Sequence, residues 1–159
     1  MNLYLLRHGE ALSGAQYPDS ERPLSNHGLQ QAAAVGRFFR DRGIRFDHIF
    51  CSPLLRARQT AETLMLESGA NPINTTDALV SSSDPHLILL ELRPLDCEEI
   101  LVVGHEPHLS RTVSLLLGLE DRSRVEMKTC SLACVATAAA PSPGRGMLRW
   151  LIPSNATLK

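Results

Sequence analysis

Short apolar segments alternate with helix-like segments along most of this 159-residue chain, and this order restricts the fold more than any other feature of the sequence. Such alternation predicts an α/β fold, here a three-layer α/β/α sandwich around a mostly parallel central sheet with right-handed crossovers. Two final apolar segments, joined by the turn-rich residues 141–146, predict an antiparallel edge. The predicted strands are residues 2–6, 46–52, 73–76, 98–106, 131–138 and 147–153, and the predicted helices begin near residues 25, 53, 85 and 107.

Length and charge bound the class of protein. A chain of 159 residues is of ordinary size for one domain, and because the sequence shows no linker we predict a single domain over residues 1–159. The formal net charge of −1 gives no general attraction to nucleic acid or to anionic membranes. No apolar run reaches the roughly 20 residues that cross a bilayer, and the opening segment lacks the pattern of a signal peptide. We therefore expect a soluble, cytoplasmic protein.

Residues suited to phosphate chemistry follow three of the predicted strands. Arg7 and His8 follow the first strand, Arg56 lies one turn into the helix after the second, and His105 follows the fourth. Ligands bind beyond the carboxyl ends of the strands in open α/β sheets, so we expect these side chains to meet at one edge. Neutral imidazole is a good nucleophile near pH 7, and guanidinium groups hold phosphoryl oxygens. The pattern favours a site for phosphoryl transfer.

Metal binding is the competing interpretation. His8 and His105 belong to no H-x-x-x-H pair, no acidic cluster adjoins them, and the nearby arginines would repel a cation. The cysteines offer a second metal hypothesis, since Cys130 and Cys134 would share one face of a strand and form a zinc site with Cys97 or a histidine. Buried thiols that act as small hydrophobic residues are the favoured interpretation. We predict no metal and no cofactor.

Four short segments, in order between residues 3 and 110, resemble the histidine phosphatase superfamily, also called the phosphoglycerate mutase-like superfamily. They are Leu6-Arg7-His8-Gly9-Glu10, Arg22-Pro23-Leu24-Ser25, Ser52-Pro53-Leu54-x-Arg56-Ala57 and Val103-Gly104-His105-Glu106-Pro107. Within that superfamily, the short length and the ending from Trp150 to Lys159 resemble the SixA group of phosphohistidine phosphatases. The resemblance implies the sandwich fold and a phosphatase activity.

The resemblance also implies a role for each site residue. His8 is the expected nucleophile that becomes phosphorylated. Arg7 and Arg56 are expected to bind the phosphoryl group, and His105 is expected to donate a hydrogen bond to it. The residues expected to add substrate contacts are Arg22, Gly9 and Glu106.

One difference from much of the superfamily bears on the substrate. Mutases and many phosphomonoesterases in it carry a general acid on a longer insertion after the third strand, whereas residues 75–94 form only a short segment here. Oxygen leaving groups need a proton from such an acid, but phosphohistidine can take one from solvent on its other ring nitrogen. A phosphohistidine-bearing phosphotransfer protein is therefore the predicted partner. The remaining candidates for a general acid are Glu10, Asp84 and His86.

Two alternative functions stay open. The first is a general phosphomonoesterase that acts on small phosphoester metabolites or phosphoproteins. The second is a non-catalytic, phosphate-binding adaptor on the same fold. The complete set of a histidine nucleophile and two arginines argues against the adaptor, because a protein that only binds phosphate needs no nucleophile.

Overall fold

The strands of the described residues form one six-stranded sheet. The computed structural model describes residues 1–69, 71–120 and 125–157, so the last two residues of the predicted domain lie outside the described part. The strands are β1 (Asn2–Arg7), β2 (His48–Cys51), β3 (Ile73–Thr75), β4 (Glu99–Gly104), β5 (Leu132–Thr137) and β6 (Gly146–Ile152). Their order is β3-β2-β4-β1-β5-β6, with β1 to β4 parallel and β5 and β6 antiparallel. The predicted mostly parallel sheet with an antiparallel edge is confirmed.

Helices lie between and after the strands. Those in the described residues are α1 (Asn26–Asp41), α2 (Leu55–Ser68), α3 (Pro85–Leu92), α4 (His108–Leu117) and α5 (Ser154–Thr157). Side-chain caps fix two of the starts, since Ser25 Oγ accepts from the Gly28 N–H and Asp84 Oδ1 accepts from the His86 N–H, both at 3.0 Å. The short α5 is not among the predicted helices. No helix in the described residues is long and apolar enough to cross a membrane.

The side chains of β1 alternate between the two faces of the sheet. Leu3 and Leu5 pack in one buried cluster with residues of α3 and α4, whereas Tyr4 and Leu6 pack in another with residues of α1 and α2. Each fully buried side chain of this size contributes roughly 1.5–3 kcal/mol to folding. These two cores attach helices to both faces, and the three-layer α/β/α sandwich is thereby confirmed.

The segment after β1 is held against the start of α1 by direct backbone contact. The Ser25 N–H donates to the Glu10 carbonyl at 2.9 Å, and the Glu10 N–H donates to Gln31 Oε1 at 2.9 Å. A Cβ atom on Gly28 would lie 2.0 Å from the Glu10 carbonyl oxygen, and one on Gly9 would lie 2.7 Å from the Gly28 carbonyl oxygen. Only glycine therefore permits the close approach that fixes the segment around His8.

Replacing Gly28 with alanine should destabilise the protein. The added methyl group meets backbone atoms, which cannot move away as the end of a side chain can, so we expect a loss of about 1–3 kcal/mol in the free energy of unfolding. Gly14→Ala is the matched control, because its Cβ would meet only the Arg22 side chain at 3.6 Å. Urea unfolding of both variants measures the difference, and equal stability would contradict this account.

Candidate active site

A cleft of about 400 Å³ opens at the carboxyl ends of β1 and β4, beside the start of α2. Parallel pairing brings these strand ends together, with Arg7 opposite Gly104 in the register of β1 and β4. The predicted site residues that line this cleft are Arg7, His8, Arg22, Arg56, His105 and Glu106. Glu10, Asp19, Ser81 and Thr129 complete most of its wall.

His8 lies in the cleft with one ring nitrogen fixed. Its Nδ1 lies 2.7 Å from the Gly9 carbonyl oxygen. A carbonyl only accepts hydrogen bonds, so Nδ1 carries the proton and Nε2 keeps a free lone pair. Burial lowers the pKa of His8 to about 4 against the effect of that hydrogen bond, and the charges of Arg56, Arg7 and Arg22 lower it further. The ring is therefore neutral near pH 7, with Nε2 available as a nucleophile.

His105 faces His8 across the cleft, with 5.0 Å between the ring centroids. Its Nε2 lies 2.7 Å from Ser52 Oγ, and its buried Nδ1 has no hydrogen-bond partner among the described residues. Among the described residues, Nε2 is the partner that can accept the Ser52 hydroxyl hydrogen, since Ser52 Oγ otherwise accepts from the Leu54 N–H at 3.4 Å, so we assign the hydroxyl as the donor to Nε2. Nδ1 then carries the proton. Burial, followed by His8 and Arg56, lowers the pKa of His105 to about 3, which keeps the ring neutral.

Three guanidinium groups surround the histidines. Arg7 Nη1 donates to the Met127 carbonyl at 2.9 Å, while its buried Nε has no partner among the described residues. Arg56 is buried and donates through Nη1 to the Asp19 backbone oxygen at 2.6 Å. Arg22 is more exposed and donates through Nε to the Leu12 carbonyl at 2.9 Å.

The arrangement suits an anion. A neutral nucleophile lies beside guanidinium groups, and two buried donors, Arg7 Nε and His105 Nδ1, lack partners in the described part of the chain. Buried polar groups usually find a hydrogen-bond partner, so these donors indicate where oxygens of a ligand would bind. Tetrahedral phosphoryl oxygens match such donors in charge and number.

The zinc hypothesis for the cysteines is wrong. Cys130 and Cys134 belong to the core on the α1 and α2 side of the sheet, whereas Cys97 packs against the core on the other side. Burial raises the pKa of the Cys130 thiol to about 12 and that of Cys134 to about 11, so both thiols stay protonated. Within the described residues, no group of three or more His, Cys, Asp or Glu side chains is placed to hold a metal ion.

Comparison with known proteins identifies the family. The profile of the histidine phosphatase superfamily (branch 1) matches residues 3–81. An uncharacterized protein of Picosynechococcus sp. is 30% identical over 145 residues, which cover 88% of this chain and 87% of that protein. The fructose-2,6-bisphosphatase TIGAR of Xenopus tropicalis is 43% identical over 67 residues, or 40% of this chain and 24% of that protein. The chain belongs to the histidine phosphatase superfamily.

The fold of this histidine phosphatase is also similar to a solved structure. The protein histidine phosphatase SixA complexed with tungstate superposes with a TM-score of 0.89 at 24% identity, over 98% of this chain and 99% of that one. At this identity the likeness establishes the fold and not the substrate. Family and fold together support a phosphatase.

Gly9 holds the nucleophile rather than lining the cleft of this histidine phosphatase. Its N–H donates to Thr60 Oγ1 at 3.0 Å, and its carbonyl accepts from His8 Nδ1. Thr60 Oγ1 donates in turn to the Arg56 carbonyl at 2.7 Å. Both backbone polar groups of Gly9 thus have protein partners, and its contact with a substrate stays a prediction. Thr60 is a supporting residue that sequence reasoning missed.

Asp19 is the second residue that sequence reasoning missed. Its carboxylate accepts from Arg22 Nη1 and from Arg56 Nη2, each at 3.3 Å. It lies in a polar segment where aspartate is common, so its only signal is its place three residues before Arg22. Ser52 was part of a recognised segment, but nothing in the sequence assigns it to His105.

Only one of the three predicted candidates for a general acid reaches the cleft. Glu10 lines it and accepts through Oε1 from Ser25 Oγ at 2.7 Å. Asp84 caps α3 and lies 2.9 Å from His86 Nδ1, and neither residue lines the cleft. Glu106 also lines the cleft, with Oε1 accepting from the Ser110 N–H at 3.0 Å.

His108 follows His105 by three residues but does not line the cleft. His108 is the first residue of α4, and its side chain is fully buried, with 0% exposure. Neither ring nitrogen has a hydrogen-bond partner among the described residues. Burial lowers the pKa of His108 to about 4, against a contribution from Asp84. His27 is exposed on α1, and His48 begins β2.

Replacing His108 with glutamine should make folding less sensitive to acid. Folding lowers the pKa of His108 from 6.5 to about 4, so its contribution to stability is complete above pH 6.5 and is lost as the pH falls towards 4. At pH 5 this loss is about 2 kcal/mol. Urea unfolding at pH 7.5 and pH 5 should show a smaller change for His108→Gln than for the wild type.

The exposed His27 provides the control for this experiment. His27→Gln should keep the wild-type dependence of stability on pH, because this side chain is exposed on α1 and folding does not remove it from water. Part of the acid sensitivity should remain in His108→Gln, since burial also lowers the pKa of His8 and His105. An unchanged acid sensitivity in His108→Gln would contradict the proposed role of its burial.

Proposed function

We propose that this chain is a metal-independent phosphatase that removes phosphate from a phosphohistidine-bearing protein through a phospho-His8 intermediate. The observation that carries the proposal is the free Nε2 lone pair of His8, set by the bond from Nδ1 to Gly9, among guanidinium groups. Its resemblance in fold to SixA, solved in complex with the oxyanion tungstate, supports the same conclusion.

The phosphoryl group binds between Arg7, Arg56 and His105. His8 Nε2 attacks phosphorus in line, and its lone pair forms the new P–N bond as the bond to the leaving group breaks. The electron pair of that broken bond returns to the leaving nitrogen. The guanidinium groups and the Nδ1–H of His105 stabilise charge on the equatorial oxygens. Water then attacks phosphorus, the bond to His8 breaks, and phosphate is released.

The segment between β3 and α3 favours phosphohistidine over a phosphoester as the substrate, because it offers no good proton donor to a leaving group. Between β3 and α3 the chain has only residues 76–84, which include the short 3-10 turn Asp77–Leu79, and of these Ser81 lines the cleft. A serine hydroxyl is a poor proton donor to a departing alkoxide. An imidazole ring protonated on its other nitrogen leaves as a neutral molecule and needs no donor from the protein.

A general phosphomonoesterase is the second candidate. Glu10 lines the cleft, and a carboxylic acid at this place would protonate an ester oxygen. The match to a fructose-2,6-bisphosphatase over part of the chain fits the same idea. The hydrogen bond from Ser25 Oγ counts against it, because it already occupies Oε1 of Glu10.

His8→Ala should abolish the activity. We expect phosphate release from a phosphohistidine-bearing carrier protein to fall on the order of a thousandfold or more, because the nucleophile is lost. The wild type should release phosphate faster from the carrier than from p-nitrophenyl phosphate, and EDTA should have no effect. Intact-mass measurement after rapid acid-free quenching should detect phosphorylated wild-type protein and none in His8→Ala.

Each alternative has its own outcome in this assay. Faster turnover of p-nitrophenyl phosphate would favour the general phosphomonoesterase. Activity that persists in His8→Ala would refute the intermediate, and loss of activity with EDTA would refute the metal-independent mechanism. Phosphate binding without release from either substrate would favour the adaptor.

Arg56→Lys should show that the guanidinium geometry matters. Lysine keeps the charge but loses the planar fork, so we expect kcat/KM for the carrier to fall about a hundredfold. Arg58→Lys is the control, because Arg58 is exposed on the same helix and should tolerate the change. Equal activity of the two variants would remove Arg56 from the phosphoryl site.

A further inference from the structure

Asp19 lines the cleft at a position where its side chain is largely exposed to solvent. It begins the 3-10 turn Asp19–Glu21 and receives three hydrogen bonds from two arginines: its backbone oxygen and Oδ2 accept from Arg56, and Oδ1 accepts from Arg22. The Asp19 side chain is nevertheless 69% exposed, whereas that of Arg56 is 8% exposed. The carboxylate therefore lies on the solvent side of Arg56, at the mouth of the cleft.

The depth of the cleft fixes the direction of the leaving group. His8 and His105 are buried at 8% and 2% exposure, so they form the floor. An in-line attack from His8 expels the leaving group on the far side of phosphorus, which is the mouth. The carboxylate residues that line the cleft are Glu10, Asp19 and Glu106, of which Glu10 and Asp19 are exposed.

The carboxylate of Asp19 acts as a fixed negative charge. Partial burial raises its pKa, but the charges and hydrogen bonds of Arg56 and Arg22 outweigh this effect and lower the pKa below its ordinary value. The group is thus ionised near pH 7 and accepts hydrogen bonds rather than donating a proton. Glu10 and Glu106 are each held by a neutral donor, from Ser25 and from the Ser110 backbone respectively.

We propose that Asp19 is a specificity-determining residue that favours a cationic N–H leaving group over one that carries a carboxylate. This inference rests on the proposed function. A phosphoimidazole ring protonated on its second nitrogen is cationic and presents an N–H to the mouth of the cleft. Asp19 accepts a hydrogen bond from that N–H and keeps the ring protonated, so the P–N bond breaks to give neutral imidazole. A carboxylate in the same place meets a like charge.

Asp19→Asn tests this selection, with phosphoimidazole as the substrate and 3-phosphoglycerate as a competing phosphoester. Asparagine keeps an oxygen acceptor for Arg56 and removes the charge. We expect kcat/KM for phosphoimidazole to fall about threefold, because its cationic ring loses an attraction to the carboxylate. The inhibition constant of 3-phosphoglycerate should also fall about threefold, because its carboxylate loses a repulsion. Both effects are small because the mouth is exposed to solvent. Glu21→Gln, an equal charge change two residues away, should alter neither value.

The outcomes separate this inference from the function on which it rests. In Asp19→Asn, a lower kcat/KM for phosphoimidazole together with tighter binding of 3-phosphoglycerate supports selection by charge. Parallel weakening of both ligands would show that Asp19 only positions Arg56, and no change in either would exclude any role, so both results overturn the inference. Failure of the wild type to hydrolyse phosphoimidazole and the phosphohistidine carrier would overturn the proposed function itself, and this inference with it.

Discussion

The parallel pairing of β1 with β4 is the constraint on which the site depends. It sets Arg7 opposite Gly104, and the His8 N–H then donates to the Gly104 carbonyl at 3.0 Å. Two histidines that are 97 residues apart in the chain thereby face each other with 5.0 Å between their ring centroids. Because side chains alternate along a strand, a slip of one residue would turn the leucines of β1 to the wrong cores and carry His8 out of the cleft. The same register serves stability and chemistry.

Burial gives the two histidines their chemistry and reduces stability in acid. Water is removed from both rings, so the neutral forms are favoured, and neighbouring arginines strengthen that preference. The unpartnered Arg7 Nε and His105 Nδ1 are unfavourable in the free protein, since buried donors without partners destabilise a fold by about 1–3 kcal/mol each. An anion that accepts from both donors recovers this energy on binding. The site is thus prearranged for a phosphoryl group at the expense of stability.

The sequence was sufficient to predict the sheet and the residues at its carboxyl edge, because the spacing of apolar residues and the order of strands and helices along the chain can be read directly from it. It was insufficient for contacts across long separations. The approach of Gly28 to Glu10, the bond from His105 to Ser52 and the bridge from Asp19 to Arg56 each depend on tertiary packing. His108 shows the same limit, since a position one turn beyond a site residue does not indicate whether it faces the cleft or the core. The short α5 carries too few residues for a periodic signal.

The floor and the mouth of the cleft have different roles in the proposed specificity: the floor binds the phosphoryl group, and the mouth faces the leaving group. In the proposed mechanism, buried residues on the sheet and on α2 bind the phosphoryl group, and their replacement would disturb the core. In the same mechanism, the leaving group lies at the mouth of the cleft. Asp19 and Glu10, from the segment between β1 and α1, line the cleft there. That segment is largely exposed and adds no strand to the sheet, so its side chains can change while the floor stays intact. A fold built in this way can serve phosphohistidine or phosphoester substrates with one phosphoryl site. In this proposal, the charge at the mouth selects the leaving group, whereas the floor holds the phosphoryl group that all such substrates share.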